Sequence, residues 1–424
     1  MNFALKGNIC CNKSLTELKT LQGYVVCENG ISQGVFEELP EKYNSYRIID
    51  CGKQLILPGL CDLHTHAPQY AFRGMGMDLE LLDWLETYTF AEESKYADAE
   101  YAKTAYNYFA QDLVNGATTR AVIFATIHPK STLLLMEKLE KTGLITMVGK
   151  VNMDRNSPAS LSEKSATESL LSTEEWILES SKLFKRTKPI ITPRFIPSCS
   201  DELMAGLGDI QKKYGLPIQS HLSENKGEIE WVQALCPQST SYGDAYANHG
   251  LFGGENVPTI MAHCVWSEGI EEDLIKSNNV YVAHCPQANA NLSSGIAPIR
   301  RFLKRGINVG LGSDVAAGTQ TSIFRAMSDA IQMSKLYWRI INQEDKPLTI
   351  SEALYLATQG GGSFFGKVGS FAKGYEFDAI VIDDSDLKTA KELTIENRLE
   401  RLIYLGQDHH VTAKYVRGEL IIQK

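Results

Sequence analysis

An apolar, β-rich run followed by a helix-like segment recurs eight times within residues 59–315 of this 424-residue chain. The runs are "GLCDLHTH", "ATTRAVIF", "ITMVGKVNM", "PIITPRFI", "LPIQSHLS", "PTIMAHCV", "NVYVAHCP" and "NVGLGSDV". They are short and almost continuously apolar, as parallel strands covered on both faces must be. Helical patterns such as "YAKTAYNYFAQDLVNG" and "DELMAGLGDIQKKYG" lie between them, and their closing glycines, Gly116 and Gly215, read as helix C-caps. Eight strand–helix units predict an α/β chain built on a (β/α)₈ barrel. The longest insertion, residues 67–100, follows the first strand. Its "DLELLDWLETYTF" reads as helical cover over the barrel mouth or as a packing and subunit contact.

The flanks have another texture. Short strands with glycine turns fill the start ("YVVCENG", "GVFEEL", "YRIIDCGKQLIL") and return at the end ("FDAIVID", "RLIYLG", "AKYVRGELIIQ"). The expected organisation is a composite β-sandwich from residues 1–58 and 369–424, beside a barrel over 59–368. A hydrophobic content of 43% and a charged content of 22% are ordinary for a globular chain. A net charge of −9, with no Lys/Arg block, argues against nucleic acid. No run of 18 apolar residues predicts a membrane span, and the start lacks the apolar core of a signal peptide. Nine scattered cysteines without a C-x-x-C pair suit reduced thiols, so a cytoplasmic location is expected.

Five of the nine histidines fall at the ends of predicted strands: His64, His66, His221, His263 and His284. Asp314 ends the eighth. In such a barrel the C-terminal strand ends form the reactive face. Residues i and i+2 of a strand share a face, so His64 and His66 point the same way. Taken singly, each residue has a plainer reading. An HxH pair is common in strands, Asp314 in "GSD" can cap a helix, and His284 suits a hydrogen-bonded core position. His128, His409 and His410 read as loop or surface residues. The joint pattern is a metal site: imidazole nitrogen and carboxylate oxygen suit Zn²⁺, with Fe²⁺ as the alternative. Three histidines and an aspartate leave room for a water, whose pKa such an ion lowers towards about 7. Glu224, three residues after His221 in "HLSEN", can reach the same cavity and shuttle a proton.

These motifs, "PGLCDLHTH", "SHLSE", "AHC" and "GLGSDV" with the return "KGYEFDAIVID", resemble the amidohydrolase superfamily over nearly the whole chain. The H-x-x-E of "HLSE" is similar to its single-metal aminohydrolase branch, the cytosine, adenosine and guanine deaminases. The stretches "DLHTHAPQYAFRGMGMDLELLDWLETYTFAEE", "ATIHPKSTLLL", "VGKVNMD" and "TPRFIPSCSDELM" resemble the guanine-deaminating family. The resemblance implies one zinc per chain on His64, His66, His221 and Asp314, Glu224 as proton shuttle, and His263 beside the reacting oxygen. It also implies a purine contacted by Gln69, Arg194 and Phe195, hydrolysis of guanine to xanthine and ammonia, and a homodimer. Donors on Arg194 suit a purine carbonyl or ring nitrogens, the Gln69 amide both donates and accepts, and Phe195 can pack on the ring.

The rival expectations are deamination of another ring (8-oxoguanine, cytosine, a triazine or an adenosine derivative), a binuclear ring-opening amidohydrolase using Lys150, and a scaffold that has lost catalysis.

Overall fold

The computed structural model describes residues 1–255 and 257–424. The first four strands are β1 (Asn2–Asn12), β2 (Leu18–Glu28), β3 (Ile31–Phe36) and β4 (Arg47–Pro58). Two residues later comes β5 (Leu60–His66), then β6 (Thr118–Phe124), β7 (Ile145–Gly149), β8 (Val151–Asn152), β9 (Thr187–Pro189) and β10 (Thr192–Pro193). The second half holds β11 (Ile218–Leu222), β12 (Thr259–His263), β13 (Tyr281–His284) and β14 (Asn308–Leu311). The chain closes with β15 (Ala379–Ile382), β16 (Val411–Val416) and β17 (Glu419–Gln423).

The fold is mixed α/β. Two four-stranded parallel sheets carry the middle of the chain, in the orders β5-β6-β7-β9 and β11-β12-β13-β14. All eight predicted runs contribute a strand. Two of them are broken: "ITMVGKVNM" splits into β7 and β8, and "PIITPRFI" into β9 and β10. Pro189 and Pro193 carry no N–H for a continuous ladder, and β8 pairs separately with β10. Ile191 bridges to Ile218 between the two sheets. At the other edge the Asp314 N–H donates to the His64 carbonyl (2.8 Å) and the His66 N–H to the Val315 carbonyl (3.1 Å). Every residue of β5 and β6 is buried, which accounts for their apolar runs.

The chain ends form one seven-stranded sheet, ordered β17-β16-β15-β4-β1-β2-β3. Phe3, Leu5, Ile9, Val25, Ile56 and Phe377 pack together in its own core. Arg120 of β6 ties this sheet to the parallel ones, donating from Nε to Asp378 (2.6 Å) and from Nη2 to Glu376 (2.6 Å).

Helices cover the parallel strands. Ala99–Asn115 starts at Asp98, whose carboxylate accepts from the Glu100 and Tyr101 N–H groups. It buries Ala102, Ala105, Tyr106, Phe109 and Leu113, the three- and four-residue spacing of one helix face. Asp201–Tyr214 ends on Gly215 in the left-handed region (φ 63°), as expected of a glycine cap. Gly116 differs: its backbone is extended, and its lack of a side chain admits Asp408, whose Cγ would lie 3.1 Å from a Cβ there. Among the described residues no helix is long and apolar enough to cross a membrane. All nine cysteines are free.

Candidate active site

His64 and His66 sit at the end of β5, His221 in β11 and His263 at the end of β12. Asp314 lies just beyond β14. His263 (φ 73°) and Asp314 (φ 47°) both take left-handed backbone, so the chain turns sharply where these side chains emerge. The ring nitrogens converge. His64 Nε2 lies 3.1 Å from His66 Nε2, which lies 3.2 Å from His221 Nε2. Asp314 Oδ1 is 3.3 Å from His64 Nε2 and 3.6 Å from His66 Nε2.

Buried imidazole nitrogens facing one another at such distances fit a shared cation. Four donors each about 2.0–2.1 Å from one ion stand about 3.3–3.4 Å apart in a tetrahedron. The protonation pattern agrees. His221 Nδ1 donates to the Arg194 carbonyl (2.7 Å), which leaves Nε2 as a lone pair. Burial lowers the affinity of His64, His66 and His221 for a proton, and the neighbouring imidazoles depress His66 and His221 further. The Phe124 ring supplies part of that apolar surround, its centroid 4.5 Å from that of His66. Asp314 is held below the usual carboxylate range: burial opposes this, but the charge and hydrogen bond of His64 prevail.

Glu224 and His263 flank the cluster. Their closest atoms, Oε2 and Nε2, are 3.3 Å apart, and His263 Nε2 lies 3.8 Å from Asp314 Oδ2. Burial pushes Glu224 up to about 7, partly offset by the charge of His263. Ser294 Oγ donates to its Oε1 (3.0 Å). His263 donates from Nδ1 to Asn289 Oδ1 (2.8 Å). Although burial works against a second proton, the Glu224 and Asp314 carboxylates raise its pKa above the ordinary value.

A cavity with an empty volume of about 440 Å³ opens beside the cluster. His66, His221, Glu224, His263 and Asp314 line it, together with Gln69, Arg194 and Phe195. Leu81, Trp84 and Leu85 of the 67–100 insertion also line this space, with Glu228, Leu292 and Ala317. The structure thus gathers His64, His66, Gln69, Arg194, Phe195, His221, Glu224, His263 and Asp314 at one site.

Three buried carboxyl groups beside the site escaped the reading of the sequence, Asp62, Glu93 and Glu228, the last of which accepts from the Glu224 N–H (3.1 Å). Asp62 accepts from the Ser313 N–H (3.0 Å), Ser313 Oγ (2.5 Å) and the His64 N–H (3.1 Å), and so pins the ends of β5 and β14 together. Its alternation with His64 and His66 was the available signal. Glu93 accepts from Gln69 Nε2 (2.9 Å) and Arg194 Nη1 (2.6 Å). Nothing in "TFAEE" distinguishes it from a surface helix acid.

Lys150, weighed for a binuclear centre, is fully buried and pairs with Glu163. His284 stands apart from the cluster; burial, with the charge of His263, pushes it down to about 3.

Residues 55–421 match the Amidohydrolase family. The chain belongs to the amidohydrolase family.

Within this family the chain is similar to guanine deaminase of Dictyostelium discoideum, 40% identical over 382 residues, spanning 88% of this chain and 84% of that protein. Guanine deaminase of Homo sapiens is 37% identical over 87% of this chain and 83% of its own. A crystal structure of guanine deaminase from C. acetobutylicum with bound guanine in the active site superposes with a TM-score of 0.96, at 48% identity and full coverage of both chains. The amidohydrolase match begins within β4 and ends within β17, so it takes in the parallel sheets and the C-terminal strands of the composite sheet but not β1–β3.

Proposed function

We propose that this protein is a guanine deaminase, which hydrolyses guanine to xanthine and ammonia in purine catabolism or salvage. The observation that carries the reading is one shared cavity. Gln69 and Arg194 stand ready for a purine edge, facing a convergent cluster of three imidazoles and a carboxylate. Relatives of that name align over most or all of the chain at 37%, 40% and 48% identity.

His64, His66, His221 and Asp314 would hold one Zn²⁺, with Fe²⁺ as the alternative. When bound, such an ion brings the pKa of a water into the neutral range. Gln69 and Arg194 would orient the ring with C2 towards the imidazole cluster, and Phe195 would pack on the ring. Asp314 and Glu224 take the protons of the attacking water. Glu224 delivers its proton to N3 and then relays the proton held by Asp314 to the departing amine, a double duty suited to a carboxyl near 7. His263, protonated on both nitrogens, donates from Nε2 to the oxygen added at C2. Ammonia leaves and xanthine forms. The bond between Lys150 and Glu163 speaks against a lysine bridging two ions.

The same proposal takes the two parallel sheets as one closed (β/α)₈ barrel over residues 59–368. The Ile191–Ile218 bridge and the Asp314–His64 contact support closure at its two seams. Residues 1–58 and 369–424 form the small β-sandwich. The protein works as a cytoplasmic homodimer, the location resting on its nine free thiols and the dimer on the resemblance.

Ammonia release and the guanine-to-xanthine absorbance change, measured on zinc-loaded protein, test the function. Cytosine, adenine and 8-oxoguanine serve as comparisons. Guanine turnover well above the others is expected. Turnover of another ring alone would overturn the roles of Gln69, Arg194 and Phe195. No turnover with one metal bound would favour the scaffold.

A further inference from the structure

We infer that Glu93 is a positioning residue that locks Gln69 and Arg194 into one donor–acceptor pattern and thereby selects an oxo-purine over an amino-purine. This rests on the guanine deaminase reading. Gln69 and Arg194 line the cavity and Glu93 does not. It stands behind both, 2% exposed, with Oε1 accepting from Gln69 Nε2 at 2.9 Å and Oε2 accepting from Arg194 Nη1 at 2.6 Å. One carboxyl group therefore holds both residues assigned to the ring edge.

The chemistry of the partners makes the arrangement one-way. Gln69 Oε1 accepts from the Ala316 main-chain N–H at 3.1 Å. A main-chain N–H can only donate and a carboxylate can only accept. The Gln69 amide cannot turn over without breaking both bonds and setting like groups against each other. A free carboxamide would read an oxo edge and an amino edge alike. This one keeps its nitrogen towards Glu93 and its oxygen towards Ala316, leaving one N–H and one lone pair for a ligand.

Arg194 offers donors only, and the ion pair fixes which of its N–H groups remain for the ring. A guanidinium facing position 6 of the ring accepts a carbonyl there and rejects an amino group, which would set donor against donor. The Glu93 charge also balances that of Arg194. The recognition wall is then neutral overall, which suits an uncharged base rather than a ring bearing a carboxylate or phosphate.

Guanine and 2,6-diaminopurine test this, since both carry the 2-amino leaving group and differ along the N1–C6 edge, where N–H and carbonyl are replaced by a bare ring nitrogen and an amino group. Glu93→Gln keeps the shape but cannot accept from both partners. Expected results are a KM for guanine raised about tenfold or more, kcat changed less than about threefold, and preference for guanine over 2,6-diaminopurine reduced about tenfold. Metal content should match the wild type. Unchanged KM and preference would overturn the inference, as would a fall in kcat with KM unchanged.

If Glu93→Gln does not fold, Glu93→Asp serves. Its shorter carboxylate reaches only one partner, and wild-type KM and preference in it would overturn the inference equally. Should wild-type protein fail to turn over guanine, the functional reading falls by itself. The positioning role is then decided by calorimetric guanine binding: a weaker Kd in the variant supports it, and equal values overturn it.

Discussion

His221 donates its Nδ1–H to the main-chain carbonyl of Arg194 across 2.7 Å. This bond couples the two halves of the site. It selects the His221 tautomer whose Nε2 lone pair faces His66, and it ties the strand carrying that ring to the segment carrying Arg194, whose side chain lines the same cavity. A shift in either would be felt by the other.

Glu224→Gln should retain metal and lose turnover by at least about 100-fold, because an amide cannot relay a proton. Metal analysis beside the ammonia assay checks it; a near-normal rate would remove Glu224 from the mechanism. The pH dependence of stability gives a second check. Burial raises the folded carboxyl from an ordinary 4.5 to about 7, so the folded state holds a proton that the unfolded chain releases between those values. Its cost to stability is absent below about 4.5, grows as pH rises and levels off above about 7. Metal-free Glu224→Gln should therefore gain on wild type in Tm from pH 5 to pH 7.5.

Chelation should abolish turnover and lower Tm, and reloading with zinc should restore both at about one ion per chain. Burial already keeps His64, His66 and His221 neutral near pH 7, so zinc competes with few protons there. Two ions per chain by elemental analysis would revive the binuclear alternative.

Gly312→Ala tests the seam beside the cluster. A Cβ at Gly312 would stand 2.8 Å from Cys285 Sγ and 3.0 Å from His64 Cβ, neither of which is the free end of a long side chain. The strand carrying His64 would have to shift. A loss of about 1–3 kcal/mol in chemical denaturation, with weaker metal retention, is expected.

Arg120→Met tests the join between the composite sheet and the parallel sheets. Removing this guanidinium leaves Asp378 buried without its partner, a change that costs about 3–5 kcal/mol in comparable settings. Glu376 adds a pH signature. Burial opposes it, yet the hydrogen bonds and charges of Arg417 and Arg120 hold it at about 2. Its stabilising share is complete above about pH 4.5 and lost as pH falls through about 2. Wild type should lose more stability than Arg120→Met on acidification over that range, as read from denaturant midpoints.

Much of this molecule was legible in the chain. Eight doubly buried strands must be apolar along their length, so their runs stood out, and the HxH, HxxE, AHC and GSD motifs ended them. Strand parity placed His64 and His66 on one side before any coordinates. The breaks at Pro189 and Pro193 and the extended Gly116 were less legible, because they depend on which neighbour each strand or helix end meets. Glu93 was beyond reach: its sequence neighbourhood is that of a surface helix. Only the tertiary fold of the 67–100 segment sets its carboxyl between Gln69 and Arg194, 24 residues before it and 101 after it. Periodicity reports what each segment buries. Which buried charge answers which is settled by contacts between segments distant in sequence, and those exist only in the folded chain.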